Sequence, residues 1–449
     1  MMRTLKGSIG HPVLMVNKPC SLGKHFTRTP LMPPSRSVLL DPSGNKRSAQ
    51  NLGQVLSLQS YFQFAKTSDQ FRDKPAAAHY RELSFGFFGE VGGLLSALKK
   101  GSRDQLTESN PTVVAEELGD ALWYLVNLSA LCDVSVEQLG RAALAWLREY
   151  FAETVKTPPK MTFRVFDGIT SLHHDKLVRK GAQSLRAFAC SSGELLARSF
   201  IEMRKLPPAT RDRQLGGLLG QIALVSGTYR LSFGTLAAQN LFKIADRWPG
   251  ANPVAHVLEP RGEVHEQFPT KMTITFVERK IAGRTFVLQQ MHTLNIGDPL
   301  TDNNHRADGY RYHDVFHLAY AAHLGWSPVM RALLKLKRKS DPKTDENEDG
   351  ARAIIIEEGI ATWIFNHARH HRNYADVKEG RLEYALLKQV RSMLSDFEVA
   401  NLPLWQWERA ILSGFTVFRQ LLTNRGGVVE ADLLRHTLTY LSPDPSNPP

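Results

Sequence analysis

Apolar residues recur with a helical period from about residue 53 to residue 250 of this 449-residue chain. The pattern predicts helices over residues 56–65, 85–100 and 115–127, and an amphipathic helix following Val134-Ser135-Val136-Glu137-Gln138-Leu139. The period changes after the Pro/Gly-rich link Trp248-Pro249-Gly250-Ala251-Asn252-Pro253. Residues 271–279 and 285–292 alternate apolar and polar side chains around Ala282-Gly283, which predicts a β-hairpin and the chain's only clear strand pair. A polar stretch at 297–309 leads into further helical patterns at 310–320 and 351–365. The expected fold class is mainly α, with one hairpin placed before a helical C-terminal domain.

Two of the helices place acids among apolar residues. Glu117 and Asp120 stand three residues apart on one face beside Leu118, Leu122 and Leu125, and Glu90 turns inward from the 85–100 helix. Burying carboxylates there is costly unless a cation or hydrogen-bond donors meet them. Acids converging from two helices suit Mg²⁺, a hard ion that takes oxygen and keeps positions open for phosphate. The plainer alternative is a pair of N-terminal helix acids favoured by the macrodipole.

Over residues 56–151 the chain resembles the MazG family of all-α nucleoside triphosphate pyrophosphohydrolases. The resemblance rests on the opening helix, on Gly89-Glu90-Val91-Gly92-Gly93 followed by Lys99-Lys100, on Glu116-Glu117-Leu118-Gly119-Asp120-Ala121-Leu122-Trp123-Tyr124, and on the closing amphipathic helix. The family's Glu-x-x-Glu and Glu-x-x-Asp motifs together hold Mg²⁺. They map onto Glu90, Glu117 and Asp120, with Gly93 at the fourth position. A site short of one carboxylate binds its metal more weakly. The resemblance implies hydrolysis between the α and β phosphates, with Lys99 or Lys100 meeting phosphate charge and Glu116 or Glu194 completing the acid set.

Shifting the sequence by 101 residues lays Gly92-Gly93-Leu94-Leu95 on Gly193-Glu194-Leu195-Leu196, and Leu118-Gly119-Asp120 on Leu219-Gly220-Gln221. A second, degenerate MazG-like unit is therefore expected, with Ser191, Leu218 and Gln221 in place of the acids. Its helix 238–249 resembles the family's closing Asn-x-x-Lys stretch, which makes Asn240 and Lys243 candidate substrate contacts; the alternative is a solvated helix face. The tandem predicts an intramolecular pseudo-dimer, with further homo-oligomerisation left open.

In the C-terminal third, His313 and His317 are spaced i, i+4, and Glu357 and Glu358 lie in a second apolar helix. His313, His317 and Glu357 are candidate ligands for a second divalent metal, Zn²⁺ or Mn²⁺. A buried His/Glu hydrogen-bond network without metal is the alternative. The run 335–349, a basic block beside an acidic one, reads as a solvated loop.

Charge adds little to this picture. The formal net charge is +12, but residues 1–52 hold eight Lys/Arg against Asp41 alone, so most of the excess sits in a segment expected to be disordered. That segment reads as a dispensable tail, a transit peptide or an early start; a nucleic-acid partner is not expected. Cys20, Cys132 and Cys190 are too scattered for a disulfide framework, and Cys132 and Cys190 are expected in the core. No apolar run is long enough to span a membrane, which together with the cysteine usage suggests a cytoplasmic protein.

The expected segments are 1–52 disordered, 53–157 a MazG-like unit with the metal acids, 158–252 its degenerate copy, 253–300 linker and hairpin, and 301–443 helical. The expected function is Mg²⁺-dependent nucleoside triphosphate pyrophosphohydrolysis. The alternative is a weakened nucleotide sensor regulating the C-terminal His/Glu domain.

Overall fold

The computed structural model describes residues 39–40, 46–47, 49–103, 110–250, 253–256, 258 and 262–441. Most of the segment expected to be disordered lies outside these residues. Strands β1 (Leu39–Leu40) and β2 (Lys46–Arg47) pair antiparallel. Helix α1 (Ala49–Val55) already begins inside that segment, which corrects its boundary at 52.

Eight helices pack around α1's neighbours in chain order: α2 (Leu58–Thr67), α3 (Ala76–Arg103), α4 (Asn110–Leu131), α5 (Val136–Phe151), α6 (Phe163–Leu172), α7 (His174–Leu196), α8 (Phe200–Lys205) and α9 (Pro208–Thr228). Helix α10 (Phe233–Arg247) closes this half. Local chemistry fixes several starts. Ser135 and Gln138 form a capping box on α5, as do Ser199 and Glu202 on α8. Asp167 accepts from the backbone N–H groups of Phe233 (2.6 Å) and Gly234 (3.2 Å), holding the α10 N-terminus. Helix α3 packs on α4 and α7, α5 on α9, and α4 on both α9 and α10, around one core that runs from Leu56 to Ile244. Gly53 and Gly234 let α1 lie directly on α10: a Cβ on Gly234 would stand 2.3 Å from the Gly53 carbonyl oxygen.

The second half is built on a five-stranded antiparallel sheet of order β5-β4-β3-β6-β7. Its strands are β3 (Lys271–Ile281), β4 (Arg284–Met291), β5 (Leu294–Leu300), β6 (Gly426–Asp432) and β7 (Thr437–Leu441). The hairpin expected from the alternating pattern is β3–β4, with Val277 opposite Leu288. It does not stand alone: β6 and β7 add two strands within 301–443, the segment expected as a helical domain. Gly426 and Gly427 (φ +120° and +138°) admit β6 beside β3, where a Cβ on Gly426 would meet the Phe276 carbonyl oxygen at 2.4 Å. Between the strands run α11 (Asp314–Leu324), α12 (Pro328–Leu333), α13 (Pro342–Asn347), α14 (Ala351–Arg369), α15 (Tyr384–Met393) and α16 (Leu404–Asn424). Helices α11 and α16 pack on each other and on β6 and β7 over a second core, which includes Ile274, Phe276, Phe316 and Phe418.

The run 335–349 is less solvated than its charge suggests. Arg338 and Asp349 are buried and paired at 2.7 Å, and Arg338 also meets Glu398 at 2.9 Å. Cys132 is buried as expected, whereas Cys190 is exposed on α7. Among the described residues, no helix is long and apolar enough to cross a membrane.

The two halves meet through buried charge. Arg247, at the end of α10, pairs with Glu408 of α16, both almost fully buried. Glu408 also accepts from the backbone N–H groups of Gly380 (2.9 Å) and Leu382 (2.7 Å), which fixes the 380–382 loop against α10. Asp246 receives both guanidinium nitrogens of Arg391 at 2.6 and 2.8 Å. These contacts place the C-terminal domain at the mouth of the acidic site.

Candidate functional site

Helices α3 and α4 bring Glu90, Glu117 and Asp120 together. Glu90 and Glu117 share a hydrogen bond, which requires a proton between them. Burial, the Asp120 charge and that bond push the Glu90 carboxyl up to about 8. Glu117 and Asp120 are also raised, in both cases chiefly by burial. Gly93 lies directly beneath this cluster: a Cβ there would stand 2.4 Å from Glu117 Oε2. The missing fourth acid thus leaves the space that the Glu117 carboxylate fills.

Helix α10 supplies the positive partners. Lys243 Nζ donates to Asp120 Oδ2 and to Glu116 Oε1, the latter at 3.0 Å. Burial opposes its charge, but Asp120 and Glu116 hold Lys243 protonated above the ordinary lysine range. Asn240 Nδ2 donates to Asp120 Oδ1 at 2.9 Å, while Tyr61 OH donates to Asn240 Oδ1 at 2.7 Å. Glu116 experiences the same burial, yet Lys243 and Lys388 hold it below the usual carboxylate range. Asn240 and Lys243 therefore belong to a built polar site rather than to a solvated helix face.

A cavity of about 380 Å³ opens beside these groups. Glu90, Asp120, Asn240 and Lys243 line its polar side. Phe71, Trp123, Tyr124, Trp248 and Tyr384 give it aromatic walls, and Arg381 adds a cation from the C-terminal domain. Trp123 Nε1 is anchored on Ser68 Oγ at 2.9 Å, and Lys243 Nζ sits 4.8 Å from the Tyr384 ring centroid. Carboxylates, cationic side chains and aromatic faces thus line one cavity.

Other expected residues lie elsewhere. Lys99 and Lys100 are exposed and do not line the cavity; nine residues on from Glu90, Lys99 is about 13 Å farther along α3. Glu194 is exposed on α7 and does not join the acids. In the second half of the bundle, Gln221 Nε2 donates to Ser191 Oγ at 3.1 Å, a neutral pair at the positions that align with Asp120 and Glu90. Tyr61, Arg381, Tyr384 and Lys388 went unread in the sequence. Their partners are long-range, and no local spacing marks them.

The C-terminal histidines form a second cluster. His317 Nδ1 meets Glu357 Oε1 at 2.8 Å. Glu357 is already engaged by Ser327 Oγ (2.6 Å) and the Val329 N–H (2.8 Å), so it is not free to be a metal ligand, as its spacing had suggested. Glu358, one residue on, faces His313 and His317 instead.

Residues 256–444 match the family model of the MazG C-terminal domain. No curated protein and no solved structure matches the chain. The matched segment coincides with the sheet and helices α11 to α16, which form the domain that closes the acidic cavity. The similarity shown is therefore to the MazG C-terminal domain, over residues 256–444.

Proposed function

We propose that the chain hydrolyses a nucleoside triphosphate between its α and β phosphates, releasing a monophosphate and pyrophosphate. The observation that carries this reading is the convergence of Glu90, Glu117 and Asp120 on Lys243 and Asn240 beside a cavity with aromatic walls. The donor set fits Mg²⁺: oxygen ligands only, one of them holding a proton that a cation would displace. Bound there, Mg²⁺ would neutralise phosphate oxygens and lower the pKa of the attacking water.

The chain's own residues do the rest. Asn240 orients Asp120, and buried Tyr61 orients Asn240. Lys243 occupies the acids as an internal cation and is the nearest ammonium for phosphate charge once a metal takes its place. Tyr384 and Trp123 offer faces for a base, and Arg381 a further charge. In the reaction, water oxygen bonds to the α-phosphorus, the bond to the bridging oxygen breaks, and pyrophosphate departs.

The same reading extends to the architecture. We take α2–α5 and α6–α10 as two MazG-like units in one chain, the first supplying the acids and the second Asn240 and Lys243. In support, α3 packs on α7 and α4 on α9, each pairing positions that the repeat aligns. The rival function is a nucleotide sensor without turnover; ammonium groups seated on Asp120 and Glu116 favour it.

The deciding experiment supplies NTPs and dNTPs with Mg²⁺ to the full chain and measures pyrophosphate and monophosphate. Glu117→Gln and Asp120→Asn are each expected to lower release by about 10²-fold or more with an unchanged helical spectrum. Near-parental turnover in either variant would remove the acid assignment. Tight nucleotide binding without any product would establish the sensor.

A further inference from the structure

A cluster of potential metal ligands lies in the C-terminal domain. His317, on α11, is fully buried, and its two ring nitrogens have different fates. Nδ1 is bound to Glu357 Oε1 at 2.8 Å, and Glu357 is itself saturated by Ser327 and Val329. A carboxylate that is locked in place and grips one imidazole nitrogen is the arrangement that orients metal-binding histidines. Nε2 then has no hydrogen-bond partner although it is buried, a state that is unfavourable if nothing meets it.

His313 is set up in the same sense. Its Nδ1 donates to the Tyr310 carbonyl oxygen at 2.9 Å, and its ring stacks on Tyr310 with centroids 4.2 Å apart, 4° from parallel. That leaves its Nε2 as the nitrogen turned toward the same point as His317 Nε2. Glu358 Oε2 lies 3.7 Å from His313 Nε2 and 3.4 Å from His317 Nε2. Both separations are too long for strong hydrogen bonds. They match the edge of a tetrahedron whose centre sits at Zn–N and Zn–O distances, which is about 3.4 Å. Among the described residues, Asp314 Oδ1, 3.1 Å from His313 Nε2, competes for this nitrogen, and its carboxylate is tied to Gln289 through the other oxygen.

We propose that His313, His317 and Glu358 bind one divalent transition metal, Zn²⁺ by preference, with Glu357 orienting His317. Two imidazoles select a later first-row ion over Mg²⁺, so this centre is chemically distinct from the all-carboxylate site on α3 and α4. Three protein ligands leave a fourth position, and Glu358, 38% exposed, places that position toward solvent. Such a three-ligand set is characteristic of sites that bind water or substrate rather than of closed structural sites.

The test strips the full chain with a chelator and titrates it with Zn²⁺ by calorimetry. It runs in the Glu117→Gln/Asp120→Asn background, so that the carboxylate site cannot supply the signal. One equivalent of Zn²⁺ is expected, with a visible tetrahedral ligand-field band when Co²⁺ replaces it. His317→Ala should abolish both. Because that buried substitution can unfold the domain, Glu358→Gln serves as the second variant: its side chain is partly exposed, and it should lose the band while keeping the parental thermal midpoint. Glu357→Gln should weaken Zn²⁺ about 10- to 100-fold. Absence of stoichiometric binding in the parent, or an undiminished Co²⁺ band in Glu358→Gln, overturns the proposal and leaves a histidine–carboxylate network that holds only a proton.

Discussion

Lys388 of α15 donates to both carboxylate oxygens of Glu116 on α4, at 2.8 and 3.0 Å. The same Glu116 receives Lys243, whose other partner is Asp120. A residue of the C-terminal domain is thus linked to Asp120 through Glu116 and Lys243, and the domain that carries Tyr384 and Arg381 also tunes the charge of the site it closes. With buried Arg247–Glu408 holding the 380–382 loop on α10, the bundle and the C-terminal domain share one site rather than two neighbouring ones.

Removing this contact should alter substrate capture more than chemistry. Lys388 is about half exposed (49%), so its ion pair is worth at most about 1 kcal/mol of stability and Lys388→Ala should melt close to the parent. Without Lys388, Glu116 draws Lys243 more strongly and so holds it back from the cavity that Lys243 lines. KM for the triphosphate is expected to rise about three- to tenfold, with kcat within about twofold. Steady-state kinetics on the full chain checks this; a fall confined to kcat would place Lys388 in the chemical step instead.

Gly93 offers a cleaner separation of fold from site. Alanine is favoured over glycine inside a helix by about 1 kcal/mol, so Gly93→Ala should leave α3 intact or firmer. Its Cβ, however, would stand 2.4 Å from Glu117 Oε2, and the flexible carboxylate must move aside. Displacing a reacting group by about 1 Å can cost about 10²-fold, so a thermal midpoint at or above the parent's should accompany a loss of turnover of at least about tenfold. Parental kinetics in this variant would mean that Glu117 does not work from where it sits.

How much of this was legible depended on the reach of each signal. Glu90, Glu117 and Asp120 stood out because three-residue spacing on an apolar helix is a local pattern, and the structure brings them together. Asn240 and Lys243 were legible only through the internal repeat. Tyr384, Arg381 and Lys388 were silent, since their partners lie far off in the chain: Lys243 for Tyr384, Gln70 for Arg381 and Glu116 for Lys388. Glu357 and Glu358 show a finer limit. Adjacent helical residues point about 100° apart, so Glu357 takes the Nδ1 side of His317 and Glu358 the Nε2 side, and packing rather than spacing decides which. Strand β6 was hidden for a related reason: its partner β3 lies far upstream, and the glycines that admit it resemble a helix stop.

The proton shared by Glu90 and Glu117 makes the site respond to pH in two linked ways. In the folded, metal-free protein the Glu90 carboxyl is raised to about 8, while in the unfolded chain it titrates as an ordinary glutamate. The folded state therefore binds the extra proton between those values, and unfolding stability falls as pH rises through that window. The contribution is fully present below the unfolded value and is lost once pH passes about 8. In chelator, the thermal midpoint should decline from about pH 5 to pH 8, and Glu90→Gln, which stays neutral, should flatten that decline. Mg²⁺ should act in the opposite direction. Cation entry displaces the proton, so affinity should climb by up to about tenfold per unit until pH reaches about 8 and then level off. Calorimetric Mg²⁺ titrations at several pH values, in buffers of different ionisation enthalpy, count the released proton directly. Mg²⁺ affinity independent of pH across this range, with no proton released, would show that Glu90 and Glu117 do not share one in the metal-free site.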